Sequence, residues 1–115
     1  MKHSFDKSQL APNDITLGII GGGQLGKMIG IEAKRMSLNL AYIDPDKNCP
    51  ASTIADRMII SNFKNEKSIL ELAKKSDVLT YEIELANSSV LKDLESRGYP
   101  VHPASGVLST VQNKL

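Results

Sequence analysis

Three consecutive glycines that end a short apolar run constrain this chain more than any other feature of its sequence. Residues 15–20 (Ile-Thr-Leu-Gly-Ile-Ile) form the run, and residues 21–26 (Gly-Gly-Gly-Gln-Leu-Gly) fit the pattern G-x-G-x-x-G directly after it. A run this short and this apolar is typical of a strand buried on both faces of a parallel sheet. The sequence therefore predicts a strand, a tight glycine turn and a helix in immediate succession.

The glycine loop favours a phosphate- or nucleotide-type ligand. Gly21 permits the tight turn, Gly23 lets backbone N–H groups approach a ligand, and Gly26 lets the helix pack closely on the strand. The N-terminus of the following helix adds partial positive charge, which stabilises a phosphate or a carboxylate. A glycine turn that serves only helix–sheet packing gives the same pattern, so both interpretations stay open at this point.

The rest of the chain alternates short apolar runs with amphipathic segments. Further strands are expected at residues 40–43, 57–60, 78–81 and 99–102. Helices are expected after the glycine loop, from Asn65 or Glu66 to Lys75, and from Ser88 or Ser89 to Gly98. This alternation implies right-handed crossovers. The predicted fold class is α/β: an open, Rossmann-like parallel sheet of four to five strands with helices on both faces.

Length and composition limit the classes of protein to consider. With 115 residues the chain has room for one domain, and we expect residues 1–14 to be a flexible N-terminal extension and residues 15–115 to fold. A net charge of +1 with three tyrosines, two phenylalanines and no tryptophan argues against a nucleic-acid partner. No apolar run approaches the roughly 20 residues that span a bilayer. We therefore expect no membrane partner. Cys49 is the only cysteine, so no internal disulfide can form, and we expect a cytoplasmic protein.

Carboxylates follow two of the predicted strands. Asp44 ends the second strand about 20 residues after the glycine loop, where a dinucleotide fold places a ribose-binding acid, but Asp44-Pro45-Asp46 is equally an ordinary turn. Glu82 and Glu84 follow the fourth strand. The first and fourth strands should flank the crevice where the strand order reverses, which brings Glu82 near the glycine loop and suits ribose hydroxyls or an amine. Two solvated loop acids are the alternative interpretation.

Several other residues with reactive or soft side chains are expected to be structural. Cys49 has no nearby His or Lys in sequence to activate it, and neither histidine has a partner at metal-ligand spacing, so no metal site is predicted. Met28, Met36 and Met58 fall at core spacing and are expected to fill the interior. Tyr81 either packs under a ligand or simply closes the fourth strand.

A series of short motifs resembles the N5-carboxyaminoimidazole ribonucleotide synthetases, which belong to the ATP-grasp enzymes. The similarity runs from about Leu17 to the last residue, and the combination is far more specific than the glycine loop alone. The motifs are Gly22-Gly23-Gln24-Leu25-Gly26-Lys27-Met28, Asp44-Pro45, Cys49-Pro50-Ala51, Ala55-Asp56, Asp77-Val78-Leu79-Thr80-Tyr81-Glu82, Val101-His102-Pro103 and Gln112-Asn113-Lys114-Leu115. The chain departs from the family at Ile83-Glu84-Leu85, where Phe-Glu-Asn is frequent, and this departure leaves the role of Glu84 open.

The resemblance implies a preATP-grasp domain, the first of three lobes in an enzyme of purine biosynthesis. Such enzymes use ATP and magnesium to activate bicarbonate, then carboxylate the exocyclic amine of 5-aminoimidazole ribonucleotide, and the full-length enzyme is expected to be a homodimer. Their first lobe meets the ribonucleotide. By position, the resemblance implies that Gly23, Gln24, Leu25 and Glu82 bind this substrate and that Lys114 reaches ATP.

The ATP-grasp lobes themselves are absent from this sequence. It has no second glycine-rich loop and no magnesium-binding pair of carboxylates, and phosphoryl transfer needs both kinds of clamp. We therefore expect the isolated chain to contain no catalytic residues, to bind neither ATP nor magnesium alone, and to be inactive. Two alternatives remain: an NAD(P)-binding domain of an oxidoreductase, with Asp44 on the cofactor, and a nucleotide-sensing regulatory domain.

Overall fold

The computed structural model describes residues 14–82 and 87–102, which form one α/β unit. In chain order its regular elements are β1 (Thr16–Ile20), α1 (Gln24–Arg35), β2 (Asn39–Asp44), a 3-10 helix (Pro50–Thr53), β3 (Arg57–Ile60), α2 (Glu66–Lys75), β4 (Val78–Tyr81) and α3 (Ser88–Ser96). These bounds agree closely with the expected elements, because apolar runs bounded by glycine, proline and asparagine mark strand and helix ends well.

The four strands form one parallel sheet in the order β3-β2-β1-β4. This arrangement confirms the predicted open α/β fold. The predicted fifth strand at residues 99–102 is, within the described residues, a single bridge between Val101 and Leu79. Leu79 N–H donates to the Pro100 carbonyl and His102 N–H donates to the Leu79 carbonyl, at 2.9 and 2.8 Å. Pro100 has no N–H of its own, which limits the ladder to this short stretch.

Each face of the sheet carries its own apolar core. Alternate residues of β2 point to opposite faces, so Leu40 and Tyr42 pack under α1 whereas Ala41 and Ile43 pack under α2 and α3. Tyr42 and Ile43 are fully buried. Because both faces are covered, the central strands read as continuous apolar runs rather than alternating ones.

The buried face of α1 differs from the face that the sequence predicts. Its buried residues are Gly26, Gly30 and Ala33, whereas Met28 and Met36 are 63% and 61% exposed. The expectation that these two methionines fill the core was therefore wrong. A Cβ on Gly30 would lie 2.1 Å from the Tyr42 hydroxyl oxygen, so the helix lies too close to the sheet for large side chains.

Asparagines begin the two later helices, and a glycine follows the last. Asn65 accepts a hydrogen bond from Ser68 N–H at the start of α2, and Asn87 accepts one from Val90 N–H at the start of α3. The cap of α3 is thus Asn87 and not Ser88 or Ser89, because the Asn87 side chain reaches the first turn. Gly98 has φ +91° after α3, the left-handed conformation that glycine adopts without strain. No helix in the part of the chain that the structure describes is long and apolar enough to cross a membrane.

Candidate functional site

The crevice at the carboxyl ends of β1 and β4 is where the fold places a ligand. The two strands are neighbours, with Ile20 paired to Tyr81, although β2 and β3 lie between them in sequence. Strand order reverses at this point, and open α/β sheets bind ligands at such reversals. The glycine loop leaves β1 here, and Glu82 leaves β4. The predicted proximity of Glu82 to the loop is confirmed, since a Cβ on Gly23 would lie 3.7 Å from Glu82 Oε1.

Backbone geometry explains why glycines are required at two positions of the loop. Gly21 has φ 108°, a conformation that L residues with side chains rarely adopt. A Cβ on Gly26 would lie 2.1 Å from the Gly21 carbonyl oxygen, so any side chain there would push α1 away from the turn. The Tyr42 hydroxyl, on strand β2, donates a 2.8 Å hydrogen bond to the Gly26 carbonyl and so holds the first turn of α1 close to the sheet.

Burial keeps Tyr42 a hydrogen-bond donor. Loss of hydration, reinforced by the nearby Cys49, raises the pKa of Tyr42 to about 12. The phenol therefore stays protonated even above pH 10, and its bond to Gly26 persists into the alkaline range.

Asp44 is turned into the protein and contacts the glycine loop itself. Its Oδ2 accepts a 2.9 Å hydrogen bond from Gly22 N–H, and its Oδ1 accepts one of 2.9 Å from Asp46 N–H. The residue is only 6% exposed. Of the two interpretations left open by the sequence, the turn-forming role agrees with these contacts, because both carboxylate oxygens bind backbone groups instead of facing a ribose.

Cys49 packs against the loop from the following turn. A Cβ on Gly22 would lie 2.6 Å from Cys49 Sγ, so the sulfur occupies the space beside that glycine. Burial and the Asp44 carboxylate raise the pKa of the Cys49 thiol, although backbone N–H groups of Ser52 and Ala51 oppose the shift. A buried, protonated thiol is a poor nucleophile, which agrees with the expected structural role.

Glu82 carries an unusual polar group at the centre of the crevice. Its Oε1 is buried and, among the described residues, has no hydrogen-bond partner. Its own N–H donates to the Ile20 carbonyl at 3.3 Å, which holds the residue against the end of β1. Buried polar oxygens are nearly always paired, so an unpaired one marks a place where a bound molecule would supply the donor.

The N-terminus of α1 faces the same crevice and offers hydrogen-bond donors, whereas Glu82 offers an acceptor. Gly23 caps the helix without a side-chain hydrogen bond, and the first helical bond runs from Lys27 N–H to the Gly23 carbonyl at 2.8 Å. The N–H groups of the first turn therefore have no partner within the helix. Gln24 and Leu25 are exposed beside them. The crevice thus combines an unpaired acceptor with helix-end donors.

Comparison with known proteins identifies the domain. The sequence profile of the ribonucleotide synthetase preATP-grasp domain matches residues 15–112, nearly the whole chain. This chain belongs to the ribonucleotide synthetase preATP-grasp domain family.

Several relatives of this preATP-grasp domain are N5-carboxyaminoimidazole ribonucleotide synthases. N5-carboxyaminoimidazole ribonucleotide synthase of Brucella melitensis biotype 1 is 44% identical over 80 residues, which make up 70% of this chain and 22% of that protein. The synthetase of Thermotoga maritima has a crystal structure with 42% identity and a TM-score of 0.82, covering 85% of this chain and 27% of that one. The Aspergillus clavatus synthase, solved in complex with ATP, has 33% identity and a TM-score of 0.78, covering 90% of this chain and 27% of that one. This chain spans about a quarter of the length of these relatives.

Two residues singled out in the sequence fall outside the part of the preATP-grasp domain that the structure describes: Lys114, which is predicted to reach ATP, and Glu84, whose role the sequence leaves open. Within the described ranges, no group of three or more His, Cys, Asp or Glu side chains could hold a metal ion.

A cavity of the preATP-grasp domain lies at the opposite edge of the sheet. It has a volume of about 370 Å³ and is lined by residues at the amino ends of the strands, including Thr16, Asp56 and Lys75. Burial alone would raise the pKa of Asp56, but hydrogen bonds from Lys34 and Leu40 N–H outweigh it and lower that pKa. Lys75 pairs with Glu71 at 2.8 Å. Asp56 and Lys75 are thus already paired within the protein, whereas Glu82 Oε1 in the crevice has no hydrogen-bond partner among the described residues, and this contrast favours the crevice as the ligand site.

Sequence reasoning missed how the turn after β2 supports the loop. Asp44 was considered as a ligand contact or a turn former, but its bond to Gly22 joins residues 22 positions apart. The Ala51 N–H likewise donates to the Gly22 carbonyl at 2.8 Å. The Asp44-Pro45 and Pro50-Ala51 pairs signal turns, yet only the parallel pairing of β1 with β2 brings those turns onto the glycines.

Proposed function

We propose that this chain is the substrate-binding first domain of an ATP-dependent carbon–nitrogen ligase of purine biosynthesis. The ligase carboxylates 5-aminoimidazole ribonucleotide with bicarbonate. Support comes from the preATP-grasp match and from relatives that are N5-carboxyaminoimidazole ribonucleotide synthases. The isolated chain binds ribonucleotide and does not perform the reaction, because the phosphate and metal clamps of such a ligase belong to other lobes.

The observation that carries this proposal is Glu82 Oε1, which is buried and has no hydrogen-bond partner among the described residues. A carboxylate there attracts a ligand with N–H or O–H donors and repels one with a phosphate at the same spot. 5-Aminoimidazole ribonucleotide has both an exocyclic amine and ribose hydroxyls. Glu82 therefore accepts a hydrogen bond from the amine or ribose side and orients it.

The glycine loop contributes the complementary half of the site. Gly23 leaves room beside Glu82, because a Cβ there would lie 3.7 Å from Oε1, in ordinary van der Waals contact, and would fill the gap that a ligand enters. Gln24 supplies an exposed amide and Leu25 an apolar surface at the first turn of α1, next to the helix-end N–H groups. These groups bind acceptor atoms of the ribonucleotide and one of its apolar faces.

ATP, magnesium and bicarbonate belong to the rest of the proposed enzyme. The described residues offer no metal cluster, so no role in metal binding is assigned to them. Lys114 is the one residue of this chain proposed to reach ATP. We also propose that the full-length enzyme is a cytoplasmic homodimer with no nucleic-acid partner.

A titration of the chain with 5-aminoimidazole ribonucleotide, followed by NMR of the backbone amides, tests the assignment. We expect shifts at Gly23, Gln24, Leu25 and Glu82. Glu82→Gln should weaken binding at least about tenfold, because loss of a charged acceptor removes about 1.5–3 kcal/mol. Glu71→Gln is the matched control, since that glutamate pairs with Lys75 at the surface of α2.

The alternatives predict different titrations. An NAD-binding domain would show stronger shifts with NAD than with the ribonucleotide, and the inward-facing Asp44 argues against that result. A nucleotide-sensing domain would bind adenine nucleotides without any dependence on Glu82. If the ribonucleotide causes no shifts around the loop, or if both glutamine variants bind equally, the proposed function is wrong.

A further inference from the structure

The first two residues of the glycine loop are held by the end of β2 and by the 3-10 helix that follows it. Gly21 N–H donates to the Ile43 carbonyl at 2.9 Å, and Gly22 N–H donates to Asp44 Oδ2 at 2.9 Å. The Gly22 carbonyl accepts from Ala51 N–H at 2.8 Å. The polar groups of the loop's first two residues are thus largely bonded to the protein before any ligand arrives.

These bonds change what the loop can bind. In a dinucleotide fold the glycine loop approaches a pyrophosphate closely with its backbone. Here a carboxylate already occupies Gly22 N–H, and its negative charge opposes a phosphate at that place. The loop is therefore closed to phosphate at Gly22 and keeps its free helix-end donors further along, beyond Gly23.

Steric contacts around Gly22 limit how far the loop can move. Cys49 Sγ and Asp44 Cβ would lie 2.6 and 3.4 Å from a Cβ on Gly22, so the backbone is packed against both residues. Gly23, which lies beside Glu82 Oε1, follows immediately. A change in the Gly22 bond is therefore transmitted along the backbone to the gap between Gly23 and Glu82.

We infer that Asp44 is a positioning residue for the ribonucleotide site, setting the width of the gap between Gly23 and Glu82 through its bond to Gly22. This inference rests on the proposed function for its ligand. The hydrogen bond from Asp46 N–H supports this role, because it holds the Asp44 carboxylate in the rotamer that reaches Gly22. Asp44 itself is 6% exposed, and both of its carboxylate oxygens accept hydrogen bonds from the backbone, so it acts through Gly22 and not by binding the ligand.

Asp44→Asn separates this role from general stability. An amide has one acceptor oxygen, so its NH₂ group must face either Gly22 N–H or Asp46 N–H, donor against donor. Asp77→Asn is the matched control. Asp77 is 3% exposed and its Oδ2 accepts from Thr16 N–H at 2.7 Å, at the far edge of the sheet. Both variants lose a buried carboxylate bonded to backbone, and only one of them touches the loop.

The experiment measures three quantities on the ¹⁵N-labelled chain and its two variants: urea stability, amide exchange at Gly22, and ribonucleotide affinity by NMR titration. We expect similar losses of stability in both variants. Asp44→Asn should also speed Gly22 exchange and weaken ribonucleotide binding, each about tenfold, since one charge-assisted bond is lost. Asp77→Asn should leave exchange and binding within about twofold of the unchanged chain once its global stability loss is subtracted.

Two results overturn the inference. One is an Asp44→Asn variant that keeps Gly22 protection and full affinity; the other is an Asp77→Asn variant that weakens binding as much. If the unchanged chain binds no ribonucleotide, the proposed function fails separately. In that case the Gly22 exchange rates still decide whether Asp44 holds the loop, because they need no ligand.

Discussion

Gly22 is a residue at which packing, and not backbone conformation, forbids a side chain. Its φ lies outside the left-handed range, yet a Cβ would meet Cys49 Sγ at 2.6 Å. Nothing in the sequence distinguishes this glycine from Gly21, which has φ 108° and needs glycine for its backbone. Both residues fit the same motif. Only the tertiary structure shows that packing requires glycine at position 22 and that backbone conformation requires it at position 21.

The Gly22 contact predicts a coupled pair of substitutions. Gly22→Ala should cost about 1–3 kcal/mol of unfolding free energy, because overpacking forces the turn after β2 away from the loop. In a Cys49→Ala background the sulfur is gone, so the same substitution should cost less by at least about 0.5 kcal/mol. Urea unfolding of the two single variants and the double variant measures this coupling. Strictly additive losses would mean that the sulfur is not the obstacle.

Tyr42 predicts a loss of stability at high pH. Its pKa rises from 10.0 to about 12 on folding, so the folded state holds this proton more tightly than the unfolded state. The resulting stabilisation is complete below pH 10 and is lost as the pH rises from about 10 to about 12. Urea unfolding at pH 8, 10 and 11 should show a steeper decline for the unchanged chain than for Tyr42→Phe. A Tyr99→Phe control should retain the decline; equal slopes for all three proteins would contradict the assignment.

At the scale of elements, α1 behaves unlike α2. The buried face of α2 carries Ile69, Leu72 and Ala73, as its apolar periodicity predicts. The apolar residues of α1 also recur at helical spacing, yet Leu25, Met28 and Met36 are more than half exposed. Glycines at positions 26 and 30 let α1 lie directly on Tyr42, and periodicity scales that count only large apolar residues cannot detect such a face.

This difference predicts unequal effects of alanine in the two helices. Met28→Ala should change the free energy of unfolding by less than about 0.5 kcal/mol, because the side chain is 63% exposed. Leu72→Ala should cost about 2–5 kcal/mol, because Leu72 is fully buried and its loss leaves a cavity. Thermal and urea unfolding of both variants measures the contrast. A large loss for Met28→Ala would restore the sequence-based expectation that it belongs to the core.

At the scale of the whole molecule, two apolar clusters share one sheet. Ile19, Leu40 and Tyr42 belong to the cluster under α1, whereas Ile20, Ile43 and Tyr81 belong to the cluster under α2 and α3. Adjacent residues of the same strand thus serve different clusters. Neither cluster can lose its packing without exposing the strands that form the other. The described part of the chain should therefore unfold cooperatively, as one unit.

Tyrosine absorbance can test this cooperativity because the chain has no tryptophan. Tyr42 reports on one face and Tyr81 on the other. In urea, a Tyr42→Phe variant keeps Tyr81 and Tyr99 on one face, and a Tyr81→Phe/Tyr99→Phe double variant keeps Tyr42 on the other. Each should give a tyrosine transition that coincides with its own far-ultraviolet circular dichroism transition. A tyrosine signal that changes well before the circular dichroism signal in either variant would reveal a face that melts separately.

The sequence determined the order and type of the elements of this protein, and it placed Glu82 opposite the glycine loop. Those conclusions follow from local physics: glycines and prolines end strands, short apolar runs form buried strands, and right-handed crossovers fix where strand order reverses. Tertiary structure alone decided that Asp44 bonds to Gly22, that Cys49 fills the space beside it, and that glycines form the buried face of α1. Each of these contacts joins residues far apart in the chain at distances of a few ångströms, and their geometry depends on how closely one helix packs on one sheet, which no local pattern encodes.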